Sequence, residues 1–213
     1  MTLAGRAKDL GLTQFQLDDL RTRHAEPQRH YHTWNHLEAL HRAALTVDWH
    51  RPDSVWLAIL YHDAVYEPGR KDNEHRSAEL LRESLTRQVE PDTLAFADAL
   101  IRWTHKHVVP DGLTPEETAD AAHFLDIDMG ILGVERDAYA RYASQVRQEF
   151  KRVPGLMFNK GRAGFLVESL RKDTLFYSRR FQAELDAAAR ANMRWELETH
   201  LGRAGRKALS RLG

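Results

Sequence analysis

The apolar residues of this 213-residue chain recur at the spacing of a helix face almost from end to end. A half-buried strand would instead alternate apolar and polar side chains, and no convincing run of that kind occurs. The segment VWLAILYHDAVY, at residues 55–66, is apolar nearly all round, which indicates a helix at the centre of a bundle. We therefore predict an all-α fold.

Helix-start and helix-stop residues predict eight or nine helices. Thr114, Pro115, Glu116 and Glu117 form a capping box with proline at the first helical position, which is a strong helix start. Residues 154–161 contain proline and two glycines, and we expect a loop there. The predicted helices begin near residues 13, 33, 52, 73, 92, 114, 135, 162 and 179. In the first of them Phe15, Leu17 and Leu20 are expected to face inward.

No linker, internal repeat or low-complexity segment divides the chain. We therefore expect one domain over residues 1–213, of a size that can bury a substantial core. Its motif-bearing part covers about residues 29–133, and the helices of residues 135–202 are expected to pack on that part. The basic tail at residues 203–213 is expected to be frayed.

Charge and cysteine content limit the classes of partner and chemistry. Thirty-one basic and 31 acidic residues give a formal net charge of zero, so we expect no nucleic-acid or membrane partner. The absence of cysteine excludes disulfides, thiolate metal ligands and cysteine nucleophiles. The chain begins without the apolar stretch of a secretory signal, and we expect a cytoplasmic protein.

Histidine is unevenly distributed: 11 of the 12 histidines lie between His24 and His123. Imidazole is the commonest metal ligand and a general acid or base near neutral pH, so this part of the chain is where we expect chemistry. Three short segments there combine histidine and aspartate in helical surroundings. They are YHTWNH at residues 31–36, His62-Asp63, and FLDIDM at residues 124–129.

Each segment alone also has an ordinary structural explanation. His32 and His36 suit a partly exposed helix start, and His62-Asp63 suits a buried hydrogen-bonded pair. Asp126 and Asp128 are two residues apart, so on a helix they point about 200° from each other and cannot both bind one metal directly. One of them is therefore expected to be a ligand.

Taken in order, the three segments resemble the H…HD…D signature of the HD superfamily of metal-dependent phosphohydrolases. The surrounding sequences RHYHTWNH at 29–36, YHDAVYEP at 61–68, DNEHRSA at 72–78 and LDIDMGILG at 125–133 resemble one uncharacterised family described as predicted metal-dependent HD superfamily phosphohydrolases. The resemblance covers about residues 13–202. It implies a single-domain HD-type helical bundle with His36, His62, Asp63 and Asp128 as metal ligands.

Two imidazoles and two carboxylates suit a divalent ion such as Mn²⁺, Mg²⁺, Fe²⁺, Co²⁺, Ni²⁺ or Zn²⁺. The resemblance therefore implies hydrolysis of a small phosphorylated compound, with a nucleotide as one candidate, by a metal-activated water. Asp63 could also accept the proton of that water. A homodimer is among the oligomeric states left open.

Further residues near these segments are candidate helpers. His107 and Glu74 are candidates for catalysis, and His32 for contact with substrate. Many nucleotide-hydrolysing relatives carry a Glu-Asp pair three and four residues after the HD aspartate, whereas this chain has Tyr66 and Glu67 there. Basic residues that could bind phosphate are Arg29, Lys106 and Arg162.

Two other functions are left open. A di-iron oxygenase of the HD type would need more histidine or carboxylate ligands. A regulatory protein would bind a metal or nucleotide without turning it over.

Overall fold

The computed structural model describes residues 2–210 and 212, and these residues form helices and no strands. The predicted all-α class is confirmed. The chain forms two compact units, one up to Ile127 and one from Asp128 onward. None of the helices in the described residues is both long enough and apolar enough to cross a membrane.

The first unit is built around one central helix. Its helices are α1 (Leu3–Asp9), α2 (Gln14–His24), α3 (Trp34–Ala44), α4 (Pro52–Tyr61), α5 (Asn73–Leu85), α6 (Pro91–Trp103) and most of α7 (Pro115–Met129). Every residue of α4 from Ser54 to Tyr61 is buried, and α4 contacts α1, α3, α5 and α6. This is the central helix that its apolar sequence predicts.

Side-chain hydrogen bonds fix the start of α7 and its position next to α4. The Thr114 hydroxyl accepts a bond from the backbone N–H of Glu117, whose side chain accepts from the backbone N–H of Thr114, as the capping box predicts. Asp120, in the next turn of α7, is fully buried. Its carboxylate accepts the backbone N–H groups of His50 and Arg51, at distances of 3.0 and 2.7 Å. Asp120 thus fixes α7 to the chain that enters α4.

The second unit begins with a 3₁₀ turn (Gly130–Gly133) and contains α8 (Arg136–Glu149), α9 (Gly155–Leu170), α10 (Arg179–Thr199) and α11 (Gly202–Leu209). α10 contacts the 3₁₀ turn and all three other helices. The buried Glu196 on α10 accepts the hydroxyl of Tyr139 at 2.5 Å. Its two carboxylate oxygens also accept hydrogen bonds from the Arg162 guanidinium, at 2.9 and 3.0 Å.

The structure differs from the predicted elements in four places. The described residues contain eleven α-helices rather than eight or nine, because α1 and α11 are short and were not predicted. α9 begins at Gly155, within the predicted loop, because the carbonyl of Pro154 accepts the first helical N–H groups. Phe15 is 82% exposed rather than inward.

The fourth difference concerns the basic tail. Residues 202–209 are helical, and Gly205 lies so close to α10 that an added Cβ would stand 1.9 Å from the Leu197 carbonyl oxygen. This contact holds the segment as a helix where we expected fraying. Residues 211 and 213 of the predicted frayed tail lie outside the described residues.

Candidate metal centre

Side chains from three helices converge on one point. His36 lies in the first turn of α3, His62 directly follows α4, and Asp128 lies in the last turn of α7. A ligand atom of each of these three residues lies within 4.8 Å of those of the other two. His36 and His62 are buried, whereas Asp128 is half-buried.

The adjoining Asp63 belongs to the same cluster. One of its carboxylate oxygens, Oδ2, lies 3.0 Å from Nε2 of His62 and 3.5 Å from Nε2 of His36. The two Nε2 atoms are 3.2 Å apart. The cluster therefore gathers two imidazole nitrogens and carboxylate oxygens, which are the donors that divalent metals take from a cysteine-free chain.

The tautomer of His62 is set by the backbone. Its Nδ1 lies 3.1 Å from the carbonyl oxygen of Ile59. Because a carbonyl only accepts hydrogen bonds, Nδ1 carries the proton and Nε2 presents a lone pair in the neutral ring. A backbone carbonyl on the remote nitrogen is the usual way in which a metal-binding imidazole is held. Two facing Nε2 atoms at 3.2 Å are stable when a proton or a cation lies between them.

One face of α7 aims at this cluster. Asp120, Phe124 and Asp128 are spaced by four residues and so lie on one stripe of the helix. Asp120 binds the backbone before α4, and the ring of Phe124 meets the ring of His62 edge-on at 6.2 Å. Asp128 continues the same stripe by one turn. The helix itself therefore directs the Asp128 carboxylate.

The structure separates Asp126 from Asp128. Asp128 belongs to the group of ligand atoms within 4.8 Å, and Asp126 does not. Asp126 is buried at 1% exposure. The spacing of two residues puts it on another side of α7. This arrangement favours Asp128 as the ligand, in line with the resemblance.

The segment that carries Asp63 is held by a buried guanidinium. The Arg29 side chain is 0% exposed and donates to the carbonyl oxygens of Asp63 at 2.6 Å and Ala64 at 3.1 Å. It also donates to the carbonyl of His32 at 3.2 Å and to the Glu26 carboxylate at 3.0 Å. Arg29, predicted to bind substrate, thus has a different position: it ties two cluster-bearing segments together beneath the surface.

The DNEHRSA segment fixes the chain that follows Asp63. The Ser77 hydroxyl accepts the backbone N–H of Val65 at 3.0 Å. Asn73 accepts the backbone N–H of Glu67 and donates to its carbonyl, at 3.1 and 3.0 Å. Both side chains are buried on α5. Ser77 and Asn73 therefore have a structural role, because they bond to the backbone that follows Asp63.

The electrostatics of the cluster favour an ionised Asp63. Burial raises the pKa of its carboxyl, but the neighbouring His62, His32 and His36 outweigh burial and hold the pKa well below its usual range. The pKa of His24, at the end of α2, is also lowered, which for an imidazole favours the neutral form. Burial and the charge of Arg29 lower the pKa of His24 to about 3, so its ring is neutral.

The other predicted helper residues lie in different surroundings. The His32 ring lies 5.9 Å from the His36 ring and stacks on Tyr66 at 4.2 Å, so it borders the cluster. Glu74 pairs with His105 at 3.2 Å. Lys106 is exposed, and His107 has a positive φ of 48° in the turn after α6.

Arg162 lies in the second unit. It forms the two-pronged contact with Glu196 described above, and its side chain is 9% exposed. Burial lowers the pKa of its guanidinium, but Tyr142 and the Glu196 carboxylate outweigh burial and hold this pKa well above its usual value. Arg162, predicted to bind phosphate, is therefore paired with Glu196 inside the second unit.

The residues that position the cluster are not among those that the sequence singles out as metal ligands. Phe124 and Asp120 lie four and eight residues before Asp128, and this helical periodicity is the signal that could identify them. The sequence indicates Arg29 as a possible phosphate-binding residue, but it gives no sign that the guanidinium is buried against backbone carbonyls. No family model matches the chain, and comparisons with curated proteins and with solved structures also give no match.

Proposed function

We propose that the chain is a metal-dependent phosphohydrolase of the HD type that acts on a small phosphorylated compound, with a nucleotide as one candidate. The observation that carries the proposal is the convergence of His36, His62 and Asp128, with an Asp63 carboxylate oxygen within 3.5 Å of Nε2 of both imidazoles. The order of these residues along the chain matches the H…HD…D signature.

The donor set supports a divalent metal. His36, His62, Asp63 and Asp128 would hold it, through nitrogen and oxygen atoms that suit Mn²⁺, Fe²⁺, Co²⁺, Ni²⁺, Zn²⁺ or Mg²⁺. Such an ion, when bound, polarises a phosphoryl oxygen and lowers the pKa of a coordinated water.

The positions of the cluster residues suggest their roles in substrate approach, proton transfer and phosphate contact. Both histidines are buried, whereas Asp63 and Asp128 are half-buried, so substrate is expected to approach from the carboxylate side. Asp63 is half-buried, and the carboxylate oxygen that does not ligate the metal could accept a proton from the attacking water. His32, at the edge of the cluster, can contact the phosphate. Glu74, which pairs with His105 at 3.2 Å, is the candidate general acid.

The experiment is a phosphoester panel with protein reconstituted in turn with each candidate metal. We expect hydrolysis of at least one substrate, and loss of that activity by more than ~100-fold in His62→Ala and Asp63→Asn. His50→Ala is the matched control, because the His50 side chain is exposed. It should keep full activity.

Two results would overturn the proposal. Metal-loaded protein that hydrolyses nothing in the panel but binds a nucleotide would indicate a regulatory protein. Two iron ions per chain with substrate-dependent oxygen uptake would indicate the oxygenase.

A further inference from the structure

The chain that follows Asp63 carries an aromatic side chain, Tyr66, beside the candidate metal centre. The centre of the Tyr66 ring lies 4.2 Å from the centre of the His32 ring, and the two ring planes are inclined by 31°. Both residues are half-buried. Aromatic rings in contact at this distance favour a small set of relative orientations. Tyr66 therefore limits the positions that the His32 ring can adopt.

The backbone on both sides of Tyr66 is held by α5. The N–H of Val65 donates to the Ser77 hydroxyl at 3.0 Å, and the N–H of Glu67 donates to the Asn73 side chain at 3.1 Å. A side chain holds its neighbours most accurately when hydrogen bonds from a second element fix its own backbone. The Tyr66 ring is thus mounted on backbone that α5 fixes on either side.

The buried Arg29 guanidinium contacts both Tyr66 and His32. Its Cζ lies 5.4 Å from the centre of the Tyr66 ring, and its Nη1 donates to the carbonyl oxygen of His32 at 3.2 Å. A guanidinium within about 6 Å of an aromatic ring centre is attracted to the face of that ring. Arg29 therefore holds the ring of Tyr66 and the backbone of His32 in one arrangement.

The His32 ring lies at the border of the metal cluster. Its centre is 5.9 Å from the centre of the His36 ring. The ring of Tyr31 meets it nearly at a right angle, at 4.9 Å and 81°. A neutral imidazole carries one N–H donor, whichever of its two tautomers is present. An N–H donor at the border of the cluster can reach an oxygen of a phosphate group that is bound there.

We propose that Tyr66 is a positioning residue, whose ring fixes the His32 imidazole so that His32 donates a hydrogen bond to an oxygen of the substrate phosphate. This inference rests on the proposed function, because it assigns the phosphate contact of that site. Displacing a contacting group by about 1 Å can cost on the order of 100-fold in rate. A His32 ring without the support of Tyr66 should therefore bind phosphate little better than a chain that lacks His32.

Proton NMR of the full chain with labelled histidine tests the position of the His32 ring without metal or substrate. Protons above the face of an aromatic ring resonate upfield, so the His32 ring signals should lie upfield of those of the exposed His50. Tyr66→Leu should move the His32 signals downfield, whereas Tyr66→Phe, which keeps the ring, should leave them in place. Tyr177→Leu removes a tyrosine that is 42% exposed, and this matched control should not move them.

Calorimetric titration of inorganic phosphate into the Mn²⁺-loaded chain tests the consequence for binding. Tyr66→Leu and His32→Ala should each weaken phosphate binding by ~10-fold. The double variant should be no weaker than His32→Ala alone, because Tyr66 acts through His32. Tyr66→Phe should bind phosphate within about twofold of the natural chain, since it keeps the ring. Unchanged Mn²⁺ affinity in all of these variants shows that they are folded and that the cluster is intact.

Three results would contradict the inference. They are His32 signals that Tyr66→Leu does not move, a phosphate affinity that Tyr66→Leu does not change, and a Tyr66→Phe variant that binds phosphate as weakly as Tyr66→Leu. The last result would assign the contact to the Tyr66 hydroxyl. None of these results depends on turnover. A chain that shows the expected effects of Tyr66 but hydrolyses nothing in the phosphoester panel would instead contradict the proposed function alone.

Discussion

Nε2 of His36 and Nε2 of His62 lie 3.2 Å apart, although the two residues come from different helices and are separated by 26 positions. Both rings are buried, and the Ile59 carbonyl holds the proton of His62 on its other nitrogen. The two lone pairs would repel each other without a proton or a cation between them. The contact thus connects the packing of α3 against α4 to the proposed metal chemistry. Substitutions of the residues around these two histidines test that connection.

Arg29→Met should destabilise the first unit and loosen the cluster. It removes a buried guanidinium that satisfies the carbonyls of Asp63, Ala64 and His32. We expect a loss of about 3 kcal/mol in the free energy of unfolding, and ~10- to 100-fold weaker metal binding. Denaturant melts and metal titrations measure these quantities. Arg42→Met, at an exposed position on α3, should change stability by less than about 0.5 kcal/mol. Equal effects of the two substitutions would contradict this role of Arg29.

His24 should make stability depend on pH. Burial lowers its pKa to about 3 in the folded chain, against an unfolded value near 6.5. Between these values the unfolded state binds a proton that the folded state excludes. Stability is therefore complete above pH ~6.5 and falls with decreasing pH, by up to about 1.4 kcal/mol per unit.

The difference between variants isolates this contribution. His24→Gln should show a shallower fall in unfolding free energy between about pH 6.5 and 4 than the natural chain. His75→Gln, at an exposed position, should keep the natural slope. A His24→Gln slope equal to that of the natural chain would show that His24 is not the responsible group.

Gly205→Ala and Gly161→Ala should have effects of opposite sign, although both replace a helical glycine. At Gly205 the new Cβ would meet the Leu197 carbonyl oxygen at 1.9 Å, so α11 must move away from α10. We expect a loss of at least about 2 kcal/mol and faster amide exchange in α11. At Gly161 nothing lies within 4 Å, and alanine should stabilise by up to about 1 kcal/mol. Equal effects of the two substitutions would contradict the close contact.

The sequence predicts those helices whose position depends on apolar periodicity or on a local capping motif. The apolar run of α4 identifies the central helix, and Thr114 with Glu117 identifies the start of α7. Periodicity does not predict α11, because that helix depends on the approach of Gly205 to Leu197. The start of α9 is not predicted because Pro154 and Gly155 are typical of loops, yet proline also suits the start of a helix.

In the candidate site, too, local sequence patterns predict some residues, whereas others depend on tertiary contacts. The resemblance to the H…HD…D signature indicates His36, His62, Asp63 and Asp128, and the structure brings their side chains into one cluster. The residues that hold this cluster in place act through backbone atoms far away in sequence. Arg29 and Ser77 bond to the backbone of residues 63–65, and no local pattern reveals such contacts.

Metal binding to the natural chain and to the Asp128→Asn and Asp126→Asn variants tests the central claim most directly. Calorimetric titration of metal-stripped protein with Mn²⁺, Zn²⁺ and Fe²⁺ should show about one high-affinity ion per chain. Asp128→Asn and His62→Ala should each lose more than ~100-fold in affinity, whereas Asp126→Asn should bind as the natural chain does. Binding that both Asp128→Asn and His62→Ala leave unchanged, or no binding of any of these metals by the folded natural chain, would contradict the account.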